Sequence, residues 1–279
     1  MLAERIQKQF PSLTKQQKTI AQQFLSIDHE GAFFTISQIA RQFKTSESTI
    51  VRFARALGYK GYPDLQEDLR DDVRKKLSPP IALRESMAKE KGKDIYSDIF
   101  EIDQENLRRT RELNDNSVID RVVREIIRAR KIGFTGFRSA HSVAYLLYFF
   151  IGQVRKNCEL LDASLGSLPN QILNFGPQDL LIGVSLPRYS RQTLDIMKYA
   201  KGKKCKTIAI TDSPISPLGQ AADLILLVGH QSSTHFNSLV GVVALVNCLV
   251  AGVSLQDRKS FETLSLVNKV VSKWDYLIM

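Results

Sequence analysis

The sequence contains few cysteines, and none in a pattern that would hold a metal ion. Its three thiols, Cys158, Cys205 and Cys248, are far apart in the chain, odd in number and set in apolar or strand-like surroundings. Structural metal sites need closely spaced pairs such as CxxC, and the sequence has no such pair. We therefore expect reduced, packed thiols, no metal site and no cofactor.

Long apolar runs are also missing. The longest, Leu239 to Val253, contains Asn247 and is shorter than the roughly 20 residues that a membrane span needs. We expect a buried helix or a subunit contact there. The opening residues, MLAERIQKQF, lack the apolar core of a signal peptide. A cytoplasmic location with no membrane partner is therefore expected.

The chain does contain enough apolar sequence for substantial cores, together with an excess of positive charge. Of its 279 residues, 43% are hydrophobic, and the net charge is +10. Single cores commonly stop growing at about 100 to 200 residues, so two domains are expected. The charge favours an anionic partner, which leaves DNA, RNA, a membrane surface or a phosphorylated metabolite.

The stretch from Thr35 to Leu57 has the pattern of two short helices joined by a tight turn. Thr35 and Gln38 form a capping-box pair at the start of the first helix, and Ser46 is a suitable N-cap for the second. Apolar residues recur at helical spacing in both segments. This pattern predicts a helix-turn-helix, although Lys44 stands where such turns often have glycine.

The second helix of this motif presents a polar face suited to the major groove of DNA. Short polar groups near its N-terminus can reach base edges, and arginines can reach guanine or phosphate. From Arg41 to Lys60, Glu47 is the single acid among five cations. The residues predicted to contact double-stranded DNA are Lys44, Ser46, Glu47, Ser48, Thr49, Arg52, Arg55 and Lys60. The alternative is an ordinary helical hairpin with a solvated face; RNA binding has no stacking aromatic motif in its favour.

A further helix with a narrow apolar stripe follows the motif. The stripe consists of Leu65, Leu69, Val73 and Leu77. It is equally consistent with packing inside the domain and with packing on a partner chain. Pro79 and Pro80 then end the helical unit, and the polar segment after them is typical of a linker. The expected division is a helix-turn-helix domain at 1–77, a linker at 78–93 and a second domain at 94–279.

From Lys131 onward, short apolar runs alternate with helical stretches, which is typical of a parallel sheet covered on both faces. Strands are predicted at 131–135, 157–161, 180–185, 207–211 and 224–228. The predicted fold class is therefore α/β with an N-terminal all-α domain, in which a helix-turn-helix bundle is joined to a doubly wound parallel sheet.

Two loops that follow strands of this sheet are candidate anion sites, at 135–139 and 185–193. Each combines hydroxyl groups and free backbone amides with a helix N-terminus, which can cradle a phosphate without a metal, and arginines add charge-assisted bonds. Simple helix capping is the alternative. The residues predicted to bind the ligand are Gly136, Arg138, Ser139, Ser185, Arg188, Ser190, Arg191 and Thr193.

These motifs resemble a known family over essentially the whole chain. SESTIVRFARALGYKGYPDL resembles the helix-turn-helix domain of the RpiR/MurR family of bacterial transcriptional regulators. The resemblance to a SIS (sugar isomerase) domain is carried by FTGFRSAHSVA, SLPRYSRQTLDIMKYAKGKKCKTIAITDSPISPLGQAADLILLV and STHFNSLVGVVALVNCL. It implies that the second domain binds a phosphosugar as an effector.

By position, the resemblance implies phosphate-binding hydroxyls at Ser139, Ser185, Ser190 and Thr193. Two features depart from the family pattern. Arg138 takes the place of the second glycine in Gly-x-Gly-x-Ser, and SLPRYSRQT is longer than the usual Ser-x-Ser-Gly-x-Thr. Arginine is therefore expected to hold part of the anion, and the effector is expected to be a phosphosugar or a related anionic metabolite.

Two functions remain to be weighed. The leading hypothesis is a DNA-binding regulator in which a homodimer or homotetramer places reading heads on an operator, and the effector biases their placement. The alternative is a phosphosugar isomerase with an appended helical domain. Isomerisation needs a general base, and the two loops offer no acid, which leaves His141, His230 and His235. We assign no catalytic residue and expect a protein that is not an enzyme.

Overall fold

The computed structural model of the chain describes residues 2–25, 29–76, 78–89, 94–162 and 166–274. The chain divides into two compact units, Met1–Lys91 and Gly92–Met279. The point of division falls inside the segment predicted as a linker. Each unit has its own apolar core, and each is described by itself.

The described residues of the first unit form helices and short 3-10 turns. The helices are α1 (Leu2–Gln9), α2 (Lys15–Leu25), α3 (Ile36–Gln42), α4 (Glu47–Ala56), α5 (Tyr62–Lys76) and α6 (Pro79–Lys89), with 3-10 turns at Phe10–Ser12 and His29–Phe33. Phe24 of α2 lies at the centre of the core, where its ring stacks on Phe53 of α4 at 5.5 Å and meets the ring of Phe43 edge-on at 4.9 Å. These contacts fix α4 against the rest of the bundle.

Two residues of the apolar stripe that begins in α5 pack inside this unit. Leu65 and Leu69 are buried in the same core as Phe53, so for these two residues the intradomain alternative is the right one. The side chain of Val73, and Leu77 as a whole, lie outside the described residues.

The segment predicted as a linker contains a helix that the sequence-based prediction did not include. Residues Pro79–Lys89 form α6, and the carbonyl of Ser78 accepts hydrogen bonds from the amides of Ile81 and Ala82. Pro79 and Pro80 are tolerated because the first turn of a helix leaves its N–H groups without intrahelical partners. The proline pair therefore begins a helix, where the sequence had suggested only an end.

The second unit is an α/β domain. Its helices are α7 (Ile95–Leu113), α8 (Asn116–Arg128), α9 (Ser139–Val154), α10 (Leu168–Leu173), α11 (Arg191–Gly202), α12 (Pro217–Ala221), α13 (Val240–Gln256) and α14 (Lys259–Lys273), and its strands are β1 (Ile132–Thr135), β2 (Cys158–Leu161), β3 (Leu180–Val184), β4 (Lys206–Thr211) and β5 (Leu224–Leu227). All neighbouring strands are parallel, in the order β2-β1-β3-β4-β5. The five predicted strands are thus confirmed, with ends that shift by at most one residue.

Apolar residues cover both faces of the sheet. Along β3, Leu180, Ile182 and Val184 belong to a core that includes buried residues of α8, α9 and α13. Leu181, between them, belongs to a second core with Ile196 of α11. Successive strand residues point to opposite faces, so this arrangement is the doubly wound fold predicted from the sequence.

The strand order creates a switch point between β1 and β3. The chain leaves β1 through α9 toward β2 on one side, and leaves β3 through α11 toward β4 on the other. In such sheets the crevice at the carboxyl ends of the two diverging strands is where ligands bind. Both predicted anion loops follow these two strands.

The longest apolar run of the sequence forms α13, as predicted for a buried helix. Val242, Val246, Leu249 and Val253 are fully enclosed. Among the described helices, none is by itself long and apolar enough to cross a membrane; α13 and α14 reach that length only together, and they meet at a bend of 106°. Cys248 on this helix is exposed, so the expectation of three packed thiols was wrong for this residue.

Candidate DNA-binding and effector sites

The helix-turn-helix is held by two side-chain caps. The Thr35 hydroxyl accepts a hydrogen bond from the Gln38 amide at 3.3 Å, and the Thr35 amide donates to Gln38 Oε1 at 2.7 Å, which completes the predicted capping box of α3. Ser46 caps α4 by accepting from the Thr49 amide at 3.2 Å. Lys44 adopts φ +50°, so the turn has the left-handed residue that glycine usually supplies.

Seven of the eight residues predicted to contact DNA are exposed. They are Lys44, Ser46, Glu47, Ser48, Arg52, Arg55 and Lys60. Thr49 differs, because its side chain is buried with 7% exposure. Its Oγ1 lies 2.8 Å from Ser46 Oγ and accepts from Arg52 Nη2 at 3.3 Å. Thr49 therefore orients Arg52 on the exposed face and does not itself lie on that face.

Glu47 also has a structural contact that the sequence did not reveal. Its carboxylate accepts a hydrogen bond from the Ser37 hydroxyl. This bond links the first turn of α4 to α3. A carboxylate in the first helical turn also interacts favourably with the helix dipole.

The first predicted effector loop, at 135–139, joins β1 to α9 with a strained backbone. A Cβ at Gly136 would lie 2.6 Å from the carbonyl oxygen of Ala140, so only glycine fits there. Arg138 precedes α9 with φ 60° and ψ −130°, a conformation that costs a non-glycine residue on the order of 1–3 kcal/mol. Ser139 is exposed in the first turn of the helix.

The second predicted effector loop, at 185–193, is held together by hydrogen bonds of its hydroxyl groups. Ser185 is buried, and its Oγ accepts a hydrogen bond from the Ser190 amide at 3.1 Å. Ser190 caps α11 by accepting from the Thr193 amide at 3.3 Å. Thr193 is fully buried, and its Oγ1 has no hydrogen-bond partner among the described residues. Predicted effector residues thus contact one another at the N-terminus of α11.

Arginines from the two loops lie close enough to influence each other. Arg138 and Arg188 are both exposed, and Arg188 also has a left-handed backbone, with φ 71°. Partial burial, and then the positive charge of Arg138, lower the pKa of Arg188 below its ordinary value. Arg191 instead forms an ion pair with Asp195, also on α11, at 3.7 Å. Both predicted loops thus carry an exposed arginine, and the charge of one lowers the pKa of the other.

A third segment, 229–238, borders the second loop and was missed as part of the site. The Asn237 side chain donates a hydrogen bond to the carbonyl of Pro187 at 3.1 Å. Tyr189 of the same loop donates to Asp212 after β4, at 3.0 Å. The sequence did contain a signal for this proximity, because Asp212 follows β4 and the segment 229–238 follows β5. The carboxyl ends of parallel strands lie at the same edge of the sheet.

The histidines weighed as bases occupy dissimilar positions. His141 is half-buried in α9, and its amide donates to the carbonyl of Arg138 at 3.1 Å. His235 is exposed, with its ring edge-on to Phe236 at 5.7 Å. The carbonyl of His230 accepts from the Ser238 amide at 3.1 Å. These contacts involve the backbone of His141 and His230 and the ring of His235.

A helix-turn-helix unit followed by a doubly wound α/β domain is the arrangement of a DNA-binding transcriptional regulator. Residues 1–76 match the family model described as "Helix-turn-helix domain, rpiR family", and residues 125–253 match the SIS domain. The chain thus carries a helix-turn-helix domain of the rpiR family and a SIS domain.

Relatives and solved structures agree with this assignment. The transcriptional regulator HexR of Pseudomonas aeruginosa is 26% identical over 270 residues, which are 94% of this chain and 92% of HexR. The sugar isomerase domain of an RpiR transcription factor from Sphaerobacter thermophilus is 29% identical, with a TM-score of 0.61 over 63% of this chain and 99% of that domain. The Vibrio vulnificus NanR protein complexed with ManNAc-6P shares the fold at 21% identity, with a TM-score of 0.70 over 98% of this chain and 99% of NanR.

Proposed function

We propose that this protein binds an operator through α4 and that a phosphosugar, or a related anionic metabolite, binds the loops at 135–139 and 185–193 and changes its affinity for DNA. Residues 1–77 then act as the DNA-binding domain and 94–279 as the effector domain. The observation that carries the proposal is the convergence of both anion loops on the β1/β3 switch point. The protein would act in the cytoplasm, where its operator lies.

The exposed face of α4 supports DNA reading. Ser46, Ser48, Arg52 and Arg55 are exposed there, and the opposite face is anchored by Phe53 in the core. A recognition helix needs this division, because one face must stay rigid while short polar and cationic groups meet base edges and phosphates.

The loops support an anionic effector with two recognition elements. Ser185 and Ser190 stand at the N-terminus of α11, where hydroxyls, amides and the helix dipole favour phosphate. Thr193 has a buried hydroxyl that an oxyanion would satisfy. Arg138 and Arg188 add positive charge beside this cradle, which favours a ligand with a second acidic or hydrogen-bonding group.

Exposed aromatic residues support self-association through the second unit. On α9, Tyr145 and Phe149 stack at 6.2 Å, and the Phe150 ring meets that of Phe149 at 5.4 Å, yet all three side chains are exposed. Such clusters are typical of protein interfaces. A homodimer or homotetramer would present two or more copies of α4 to one operator.

The test is a fluorescence-anisotropy titration with an operator obtained by in vitro selection from random duplexes, against a scrambled duplex. Glucose 6-phosphate, 6-phosphogluconate and N-acetylmannosamine 6-phosphate serve as probes, with inorganic phosphate as the reference. We expect selective, salt-sensitive binding that at least one phosphosugar shifts about 10- to 100-fold, which corresponds to roughly 1.4 to 2.8 kcal/mol of coupling. Turnover of a phosphosugar without DNA selectivity would favour the isomerase instead.

A further inference from the structure

At one edge of the sheet, side chains of a helix make hydrogen bonds to backbone groups that another strand would otherwise bind. Strand β5 is at the edge, and Val228, just after it, donates its amide to the carbonyl of Thr211 on β4 at 3.0 Å. Backbone groups alternate in direction along an extended chain, so the amides of residues 227, 229 and 231 point away from β4. Helix α7 lies along this outer side.

Asn106 of α7 and Asn114, the C-cap residue that follows the helix, bind the edge as a neighbouring strand would. Asn114 accepts from the Leu227 amide at 2.9 Å and donates to the Leu227 carbonyl at 2.6 Å. Asn106 makes the same pair of bonds with Gln231, both at 2.8 Å. A carboxamide carries one donor and one acceptor side by side, as a peptide group does. Each asparagine therefore satisfies both backbone groups of its partner.

Thr110 fills the position between the two asparagines and sets the register. Its Oγ1 accepts from the Gly229 amide at 2.9 Å. Four helical residues advance about 6 Å and two strand residues about 6.6 Å, so side chains four apart on α7 meet alternate residues of the edge. A Cβ at Gly229 would lie 2.7 Å from the carbonyl oxygen of Asn106. The close fit makes α7 and the segment 227–231 a single rigid body.

Helix α7 is connected to the proposed effector loop through hydrogen bonds of two successive residues. Asn237 donates to the Pro187 carbonyl at 3.1 Å, and the Ser238 hydroxyl donates to Asp103 Oδ1 of α7 at 2.5 Å. These two hydrogen bonds form a continuous path from the loop 185–193, through residues 237 and 238, to Asp103 of α7.

We propose that α7 couples the effector loops to the DNA-binding unit, and that the Asp103–Ser238 hydrogen bond is the contact through which the coupling passes. This inference rests on the proposed function. Helix α7 begins at Ile95, directly after the division between the two units in the chain. Helix α7 is thus the first described helix of the second unit after the division.

Coupling between two sites is reciprocal, so DNA must change the effector loops by the same route. The experiment is hydrogen–deuterium exchange of the full chain, with and without the selected operator duplex, and needs no effector. For the wild type we expect exchange in peptides covering 186–193 and 229–238 to change at least about threefold on DNA binding.

The variants Asp103→Ala and Ser238→Ala break the contact from opposite sides. Each should bind the operator within about twofold of the wild type and lose the exchange response, and the double variant should lose no more, because the two residues act as one pair. Glu101→Ala is the matched control, since it removes an exposed carboxylate from the same helix. It should keep the response. Thermal unfolding midpoints verify that all variants are folded.

Other outcomes separate this inference from the function on which it rests. If the operator binds and the loops of the wild type do not respond, or if both variants respond as the wild type does, α7 is not the coupling element and DNA binding stands. If no duplex is selected, the proposed function is overturned and this inference with it.

Discussion

The backbone amide of Ser190 donates a hydrogen bond to the side-chain oxygen of Ser185, 3.1 Å away. The bond joins the end of β3 to the residue that caps α11. It holds the hydroxyl and amide groups of the loop in one place before any ligand arrives, and such preorganisation lowers the free-energy cost of binding an anion.

Replacing Ser185 should therefore weaken effector binding. Hydrogen bonds to charged groups contribute about 1.5–3 kcal/mol, so we expect Ser185→Ala to raise the Kd of the phosphosugar about 10- to 100-fold. Isothermal titration calorimetry on the DNA-free protein measures the change. Ser142→Ala is the control, because its exposed hydroxyl donates to the Ser139 carbonyl in α9, and an equal loss in that variant would contradict a specific role for Ser185.

If Arg52 reads a base, Arg52→Ala should reduce operator affinity by about 1–3 kcal/mol, or roughly 5- to 100-fold. If Arg52 instead neutralises a phosphate, the variant should make DNA binding less dependent on salt concentration. Anisotropy titrations at several salt concentrations distinguish the two. Lys198→Ala removes an exposed cation from α11 of the second unit and serves as the charge-matched control. Unchanged affinity together with an unchanged salt slope for Arg52→Ala would falsify the assignment of α4 as the reading helix.

The ion pair between Arg155 and Asp257 should make the second unit sensitive to acid. The two side chains are 2.6 Å apart with 13% and 8% exposure. Burial alone would raise the pKa of Asp257, but hydrogen bonds from Arg155 and the Lys259 amide, with the attraction of their charges, lower it overall. A carboxyl with a lowered folded-state pKa stabilises the fold above its unfolded pKa of about 3.9. That stability is lost as the pH falls through the lower folded-state pKa.

We accordingly expect Asp257→Asn to lower the free energy of unfolding at pH 7 by about 3 kcal/mol, since it leaves Arg155 as an uncompensated buried charge. The difference from the wild type should shrink below about pH 4. Urea unfolding followed by circular dichroism across this range measures it. Asp195→Asn breaks the exposed pair with Arg191 and should change stability by less than about 0.5 kcal/mol; equal effects of the two variants would contradict the prediction.

The three thiols should react with alkylating agents at very different rates. Burial raises the pKa of both Cys158 and Cys205 to about 12, so little thiolate forms at neutral pH. Cys248 is exposed on α13. Mass spectrometry after brief iodoacetamide treatment at pH 8 should find modification at Cys248 first, and Cys248→Ser should remove the fast phase. Fast modification of Cys205 in the folded protein is the outcome that would contradict this burial pattern.

Much of the fold follows from short-range patterns. The capping box of Thr35 and Gln38, the Ser46 cap of α4 and the ends of all five strands were predicted from residues within a few positions of each other. Such features depend on local backbone geometry and on the periodicity of apolar residues. Pro79 and Pro80 misled the prediction because proline is compatible both with the end of one helix and with the first turn of the next.

Contacts between residues distant in the chain could not be predicted from local sequence patterns. Thr49 is polar, and only the packing of α4 shows that it is buried beneath Arg52. Asn106 and Gln231 are 125 positions apart, and neither segment contains a pattern that predicts the contact between them.

The sequence by itself therefore determined the helix-turn-helix, the order of strands and helices along the chain, the excess positive charge and the hydroxyl-rich loops after β1 and β3. Each of these features depends on the types of residues or on residues that lie close together in the chain. Only the tertiary structure decided that α7 completes the edge of β5, that the charge of Arg138 lowers the pKa of Arg188, and that Asn237 and Ser238 connect the predicted effector loop to Asp103. The physical reason is that these contacts arise from chain crossings and close packing, which bring together groups that no sequence spacing relates.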